Sequence, residues 1–183
     1  IIVDAPISVK QLDGVWRPKN ASNLWYGVAP LRKGLEYSRN LMTVRLAKVV
    51  GMPKIKKNAE LFGLYENMPP LLSYSLGAGE TTLFKLITAY SILANGGLEV
   101  EPSFFDIVQD RYGNTIYKHG HLKCLGCYKS LASSNRKPIF LNMAKRLFDP
   151  VSVFQINSML QGVVKRGTAS QTVGTINKPI AGK

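Results

Sequence analysis

Apolar positions along this chain repeat first with a helical period, then briefly with a strand period, and then helically again. Leu31 and Leu35 lie one turn apart behind Pro30, which suits a first helical position, and predict a short helix ending near Tyr37. Met42, Leu46, Val49 and Val50 predict a second helix, closed by Gly51 and Pro53. A third covers roughly residues 58–66, before Pro69 and Pro70 break it. The clearest helical pattern runs through Leu83, Leu86, Ile87, Tyr90 and Ala94 to Gly96 and Gly97, and should bury one face completely. Glu80 falls in the first turn of that helix, where its charge suits the positive end of the dipole. The last helix, from about Pro150, carries Val153, Ile156, Leu160 and Val163 as its buried stripe, with Asp149 as cap and Gly167 as stop.

Between the fourth and fifth helices the period changes. Residues 105–109 and 115–118 are β-type runs, and the turn-forming residues 110–114 between them predict a hairpin. Ile1 to Val3 reads as a strand in need of neighbours, and Ile180 to Gly182 as the start of another. Residues 9–28 are irregular, punctuated by Gly14, Pro18, Asn20, Asn23 and Gly27, and predict a long loop packed by Trp16, Trp25 and Tyr26. Residues 119–138 read as a basic loop. No internal repeat is visible, and the pattern describes one incomplete α+β domain over residues 1–183.

Composition narrows the function classes. At 183 residues the chain has the size of one domain, and 24 Lys and Arg against 11 Asp and Glu give a net charge of +13 that favours acidic partners. The basic residues are dispersed, with only Lys54, Lys56 and Lys57 clustered, so no nucleic-acid stripe is visible and nucleic acid is not an expected partner. No apolar run approaches the ~20 residues of a membrane span. No signal peptide opens the chain, and both ends read as cut.

Two clusters carry candidate chemistry. Ser38 and Asn40 sit at the junction of the first two helical patterns. Ser38 can be an N-cap for the second helix, or the pair can present a hydroxyl and an amide to a substrate. A bare Ser-x-Asn does not decide, since Ser133-Ser134-Asn135 is a second copy. The other cluster is His119, His121, Cys124 and Cys127, two imidazoles and two thiols. Its residue types suit zinc, although the spacing is not that of a usual finger, and Cys-x-x-Cys equally suits a small disulfide or free thiols.

Several blocks resemble, in order, the transpeptidase domain of class A penicillin-binding proteins. They are residues 16–20 (Trp-Arg-Pro-Lys-Asn), Leu31-Arg32, residues 37–47 around Ser38-Arg39-Asn40, and residues 75–83 with Ala89-Tyr90 and residues 94–97. Residues 159–168 and the terminal Ala181-Gly182-Lys183 complete the likeness. It implies a penicillin-binding, serine-transpeptidase fold of the DD-peptidase and β-lactamase kind, represented mainly by its helical part and a β-hairpin. Such enzymes use a Ser-x-x-Lys nucleophile, a Ser-x-Asn, and a Lys-Thr/Ser-Gly on a strand. Carried over, Ser38 and Asn40 take the second motif, and Lys183 takes the first position of the third.

The nucleophile motif is absent. Ser134-Asn-Arg-Lys137 has its spacing but lies downstream of Ser38 in a polar segment, and Lys165-Arg-Gly167 imitates the third motif at a helix end. The likeness therefore implies an inactive piece of a two-function wall synthase. Its partners would be peptidoglycan stem peptides, the lipid-linked precursor and, in the complete domain, β-lactams, with no cofactor. The parent would be anchored in the inner membrane with this domain on the periplasmic side, and the isolated piece could self-associate. Two other classes remain open: a non-catalytic module binding peptidoglycan or an assembly partner, and a small zinc-stabilised interaction domain built on His119, His121, Cys124 and Cys127.

Overall fold

A computed structural model of the chain describes residues 1–11, 14–125 and 139–183. Among these are five α-helices and four antiparallel two-stranded sheets, so the α+β expectation holds. Strand β1 (Ile2–Asp4) pairs with β4 (Gly27–Ala29), bringing Asp4 opposite Gly27. Between them β2 (Val9–Gln11) pairs with β3 (Gly14–Trp16). Helices α1 (Leu31–Glu36), α2 (Asn40–Val50) and α3 (Met52–Leu61) follow in close succession. After α4 (Leu83–Ala94) come two hairpins, β5 (Ile107–Gln109) with β6 (Thr115–Lys118) and β7 (Leu122–Leu125) with β8 (Ile139–Asn142). The described chain ends with α5 (Pro150–Lys165) and an irregular tail.

Several elements differ from the sequence reading. The stretch read as a loop over residues 9–28 holds β2, β3 and the start of β4. Each is three residues long, too short to display an alternation. Pro53 opens α3 instead of only ending α2, because a missing amide hydrogen costs nothing in a first helical turn. The third helix therefore spans Met52–Leu61, not residues 58–66. Helix α4 starts at Leu83 with Thr82 as its cap, whose hydroxyl accepts from the Lys85 amide at 3.2 Å, so Glu80 precedes the helix. Its apolar face is not covered: Leu83 is 72% exposed and Ile87 56%, and only Ala89 and Ile92 are buried. Trp25 (57%) and Tyr26 (44%) are likewise exposed. Part of the basic segment at residues 119–138 is strand β7, while residues 126–138 lie outside the described residues. No strand forms at residues 180–182, where Gly182 donates to the Leu160 carbonyl of α5.

Helix α5 follows its expected pattern more closely. The Asp149 carboxylate accepts from the Ser152 amide at 2.8 Å, and Val153, Leu160, Val163 and Val164 are buried, although Ile156 is partly exposed. The other buried helix is α2, whose Leu41, Met42, Val44 and Ala47 face inward. Helix α1 lies against both α2 and α5. Its end, entering α2, is where the Ser38 pattern falls.

Candidate active site

Helix α1 closes with a Schellman turn. The Arg39 amide donates to the Gly34 carbonyl at 2.8 Å and the Ser38 amide to that of Leu35 at 3.3 Å. The residue at the centre of such a turn is left-handed and usually glycine, yet here it is Ser38, with φ of 52°. It is the only non-glycine residue with positive φ among those described. A left-handed L-residue costs about 1–2 kcal/mol, so the surroundings must hold it there.

Ser38 does not cap α2. The cap position belongs to the extended Arg39, and no side chain of that residue bonds the helix amides. The first-turn amide of Leu41 is instead satisfied from a distance by Asn20 Oδ1, at 3.2 Å. The Ser38 side chain is exposed and has no hydrogen-bond partner among the described residues. Asn40 is half-buried, and its Nδ2 donates to the Lys19 carbonyl at 2.9 Å, which fixes the carboxamide and leaves Oδ1 open as an acceptor. Hydroxyl and carboxamide oxygen are thus presented two residues apart, one able to carry a proton and the other to receive an N–H.

One side of the turn is pinned by a buried ion pair. Arg39 Nε donates to Asp4 Oδ2 at 2.8 Å, with Arg39 5% and Asp4 0% exposed. The remaining arginine nitrogens reach Ser22 Oγ at 2.9 Å and the Leu24 carbonyl, and the guanidinium lies 4.4 Å from the centre of the Tyr26 ring. Asp4 also accepts from Asn20 Nδ2 at 2.9 Å and from the Tyr26 amide at 3.1 Å. Burial alone would raise the Asp4 carboxyl, but the bonds from Asn20, the Tyr26 amide and Arg39, with the arginine charge, outweigh it and hold it below the ordinary aspartate range.

Because the folded value lies below the unfolded one, Asp4 contributes its full stabilisation above about pH 4 and loses it as pH falls through the folded value. Urea midpoints measured from pH 5 down to pH 3 should therefore fall less steeply in Asp4→Asn than in the wild type. Parallel acid limbs for the two proteins would rule out this role.

The other side is pinned by an acid. Glu36, 2% exposed, accepts from Arg166 Nε at 2.9 Å and Nη2 at 2.5 Å, and from Arg32 Nη1 at 3.1 Å. Its carbonyl takes the Thr168 amide at 3.1 Å. Arg32 continues to the Ser158 hydroxyl and carbonyl. These bonds fasten the end of α1 to the last turns of α5.

Lys183 is not joined to this turn by any hydrogen bond among the described residues. Its carbonyl accepts from Tyr90 Oη at 3.1 Å, and the adjacent Gly182 amide bonds Leu160 of α5. Desolvation lowers its ammonium below the ordinary lysine range. The end of α1 is tied to Arg166, just past α5, and the segment before Lys183 is tied to Leu160 within α5.

The zinc alternative loses a ligand. Cys124 is disulfide-bonded, so it offers no thiolate. His119 Nδ1 meets Tyr117 Oη at 3.2 Å, and His121 Nε2 lies 3.6 Å from Glu101. Cys127, Ser133, Ser134, Asn135 and Lys137 lie outside the described residues. Asp4, Glu36, Arg39 and Arg166 did not stand out individually in the sequence, although Arg39 and Arg166 fall inside the blocks quoted above.

Residues 4–183 match the family model for the penicillin-binding protein transpeptidase domain. The chain belongs to the penicillin-binding protein transpeptidase family. It is 40% identical over 184 residues to penicillin-binding protein 1A of Rickettsia conorii, covering 96% of this chain and 23% of that protein. The same-named protein of Neisseria meningitidis serogroup B is 32% identical over 187 residues, covering 100% of this chain and 21% of that one. This transpeptidase chain thus spans about a quarter of the length of the curated relatives it matches.

Among solved structures, penicillin-binding protein 1A of Haemophilus influenzae superposes with a TM-score of 0.79 at 23% identity, over 97% of this chain and 29% of that one. The D,D-transpeptidase domain of the Eggerthella lenta peptidoglycan glycosyltransferase gives 0.69 at 17% identity, over 100% of this chain and 47% of that domain. The penicillin-binding transpeptidase fold expected from the sequence is therefore the fold found. Among the described residues no helix is long and apolar enough to cross a membrane.

Proposed function

We propose that this chain forms one wall of the cross-linking centre of a peptidoglycan synthase, with Ser38 and Asn40 acting on the stem peptide beside a nucleophile supplied by other parts of the protein. The lysine of a Ser-x-x-Lys motif takes the proton of its serine as that oxygen attacks the D-Ala-D-Ala amide carbon. The C–N bond breaks, D-Ala leaves an acyl-enzyme, and the amine of a second stem peptide then takes the acyl group and frees the serine. The departing amine needs a proton, which Ser38 delivers and regains from the neighbouring lysine. Asn40 Oδ1 accepts an N–H of the substrate and steadies that lysine. Lys183 supplies positive charge for the substrate carboxylate. The same attack on a β-lactam opens its ring, keeps the freed amine on the acyl group, and leaves a stable adduct. No cofactor takes part.

The observation that carries this reading is the exposed, unbonded hydroxyl of Ser38, held in a left-handed turn beside the fixed carboxamide of Asn40. An ordinary surface serine would not require a strained backbone clamped between a buried ion pair and a buried carboxylate held by two arginines. The intact protein would be anchored in the inner membrane with this domain in the periplasm, where the disulfide at Cys124 is stable. Alone, the chain is inactive, and apolar residues such as Leu83 and Phe154 (72% and 73% exposed) promote self-association.

The test is labelled-penicillin acylation of the protein carrying its natural flanking sequence. Ser38→Ala should slow acylation by about 10²–10⁴-fold, the range of general acid–base help, and Asn40→Ala by about 10²-fold, the cost of a misplaced reacting group. Acylation of both at the wild-type rate would refute the assigned roles.

A further inference from the structure

We propose that Arg39, through its buried ion pair with Asp4, is a positioning residue for both Ser38 and Asn40, and that its side chain sets the geometry of acyl transfer as well as supporting the fold. The inference rests on the roles proposed for Ser38 and Asn40. Arg39 is the residue between them, and its side chain points away from any substrate into the protein, where it is 5% exposed. Its guanidinium is fully engaged: Asp4 on Nε, Ser22 and the Leu24 carbonyl on the other nitrogens, and the Tyr26 ring against its face.

The arrangement closes a ring around Asn40. On one flank Arg39 is bonded directly to Asp4. On the other, the Leu41 amide is held by Asn20 Oδ1, and Asn20 Nδ2 is held by the other oxygen of the same carboxylate. Lys19, the neighbour of Asn20, supplies the carbonyl that fixes the Asn40 carboxamide. One buried carboxylate on β1 therefore governs the residues on both sides of Asn40 and, through Arg39, the residue following Ser38.

This geometry has a consequence for chemistry. The left-handed backbone of Ser38 is intrinsically unfavourable, so a slackened Arg39 lets the turn relax and moves the hydroxyl. A displacement on the order of 1 Å in a reacting group can cost about 10²-fold in rate while binding of the substrate body is kept. Lysine at position 39 would keep the charge beside Asp4 but could not form the fork that also reaches Ser22 and Leu24.

The experiment uses the full-length protein and resolves acylation by a fluorescent penicillin into a limiting rate constant and a half-saturating concentration. Asp4→Asn and Arg39→Lys should lower the limiting rate about 10- to 100-fold and leave half-saturation nearly unchanged. Met68→Ala is the control: Met68 is buried in a separate cluster with Ala47 and Met52, so truncation there lowers stability without touching the ring. Compared at the same lost stability, it should acylate at the wild-type rate. Ser22→Ala removes only one anchor of Arg39 from an exposed position, so it folds normally and should show a smaller fall in the same rate constant.

If Asp4→Asn, Arg39→Lys and Ser22→Ala all acylate like the matched Met68→Ala control while Ser38→Ala is slow, the positioning role is overturned and the role of Ser38 stands. If Ser38→Ala is itself as fast as wild type, both fall together.

Discussion

Replacing Ser38 with glycine is expected to stabilise the fold and at the same time to slow acyl transfer by about two to four orders of magnitude. The two effects have separate causes. At φ of 52° a side chain carries about 1–2 kcal/mol of backbone strain that glycine does not. Glycine loses more freedom on folding, about 0.5–1 kcal/mol, so relief of strain wins by roughly 0.5–1 kcal/mol. The hydroxyl is lost in either Ser38→Gly or Ser38→Ala, but only glycine relieves the turn. Thermal or urea denaturation of the three proteins should therefore rank glycine above serine and alanine, while both variants share the same slow acylation in the complete protein. A glycine variant less stable than wild type would show that the turn is not strained. A fast one would show that the hydroxyl is idle.

The second large effect is expected at Gly162 on α5. A methyl group there would overlap Glu36 Oε1 and Cδ and come within 2.9 Å of Arg166 Nη2. Two terms of opposite sign compete. Alanine in a helix interior is favoured over glycine by about 1 kcal/mol. Against that, the overlap must displace a carboxylate that is 2% exposed but whose arginine partners are 40–50% exposed, and disturbing a hydrogen bond to such a charged group costs about 1.5–3 kcal/mol. The clash should win, leaving Gly162→Ala about 0.5–2 kcal/mol less stable, with acylation in the complete protein reduced because the end of α1 shifts with Glu36. Denaturation of the purified variant measures this, and a stability equal to or above wild type would mean that Glu36 can move aside without loss. Gly167 is under a similar constraint, since a methyl group there would meet the Glu36 backbone carbonyl.

Much of the helical architecture was legible because proline and glycine punctuate it. Pro30 before α1, Gly51 between α2 and α3, Gly96 after α4 and Asp149 before α5 all mark ends that the structure keeps. The three-residue strands β2, β3 and β4 were invisible, since a period of two cannot be read from so few positions. Periodicity also says which face of a helix is apolar but not what covers it, so α4 looked more buried than it is.

At the site, the junction carrying Ser38 and Asn40 was legible and its geometry was not. A serine before a helix is ordinarily a cap, and nothing local announces a Schellman turn with serine at the left-handed position. The clamps were hidden for a different reason. Arg39 pairs with a residue 35 positions away and Glu36 with one 130 away, and such pairs leave no trace in a local pattern. Yet four of the blocks that carry the family likeness, residues 16–20, 31–32, 37–47 and 159–168, meet here. Asn20 from the first reaches Asp4, Arg32 reaches Glu36, Arg39 lies between Ser38 and Asn40, and Arg166 and Thr168 hold Glu36.

Mapping the covalent β-lactam adduct by mass spectrometry on the full-length protein, and in parallel on these 183 residues alone, decides whether Ser38 assists a nucleophile or is one. The expected result is a single adduct on a serine of a Ser-x-x-Lys outside residues 1–183, with none on the isolated chain. An adduct on Ser38, or on any other residue of this chain, would contradict the role given to the turn.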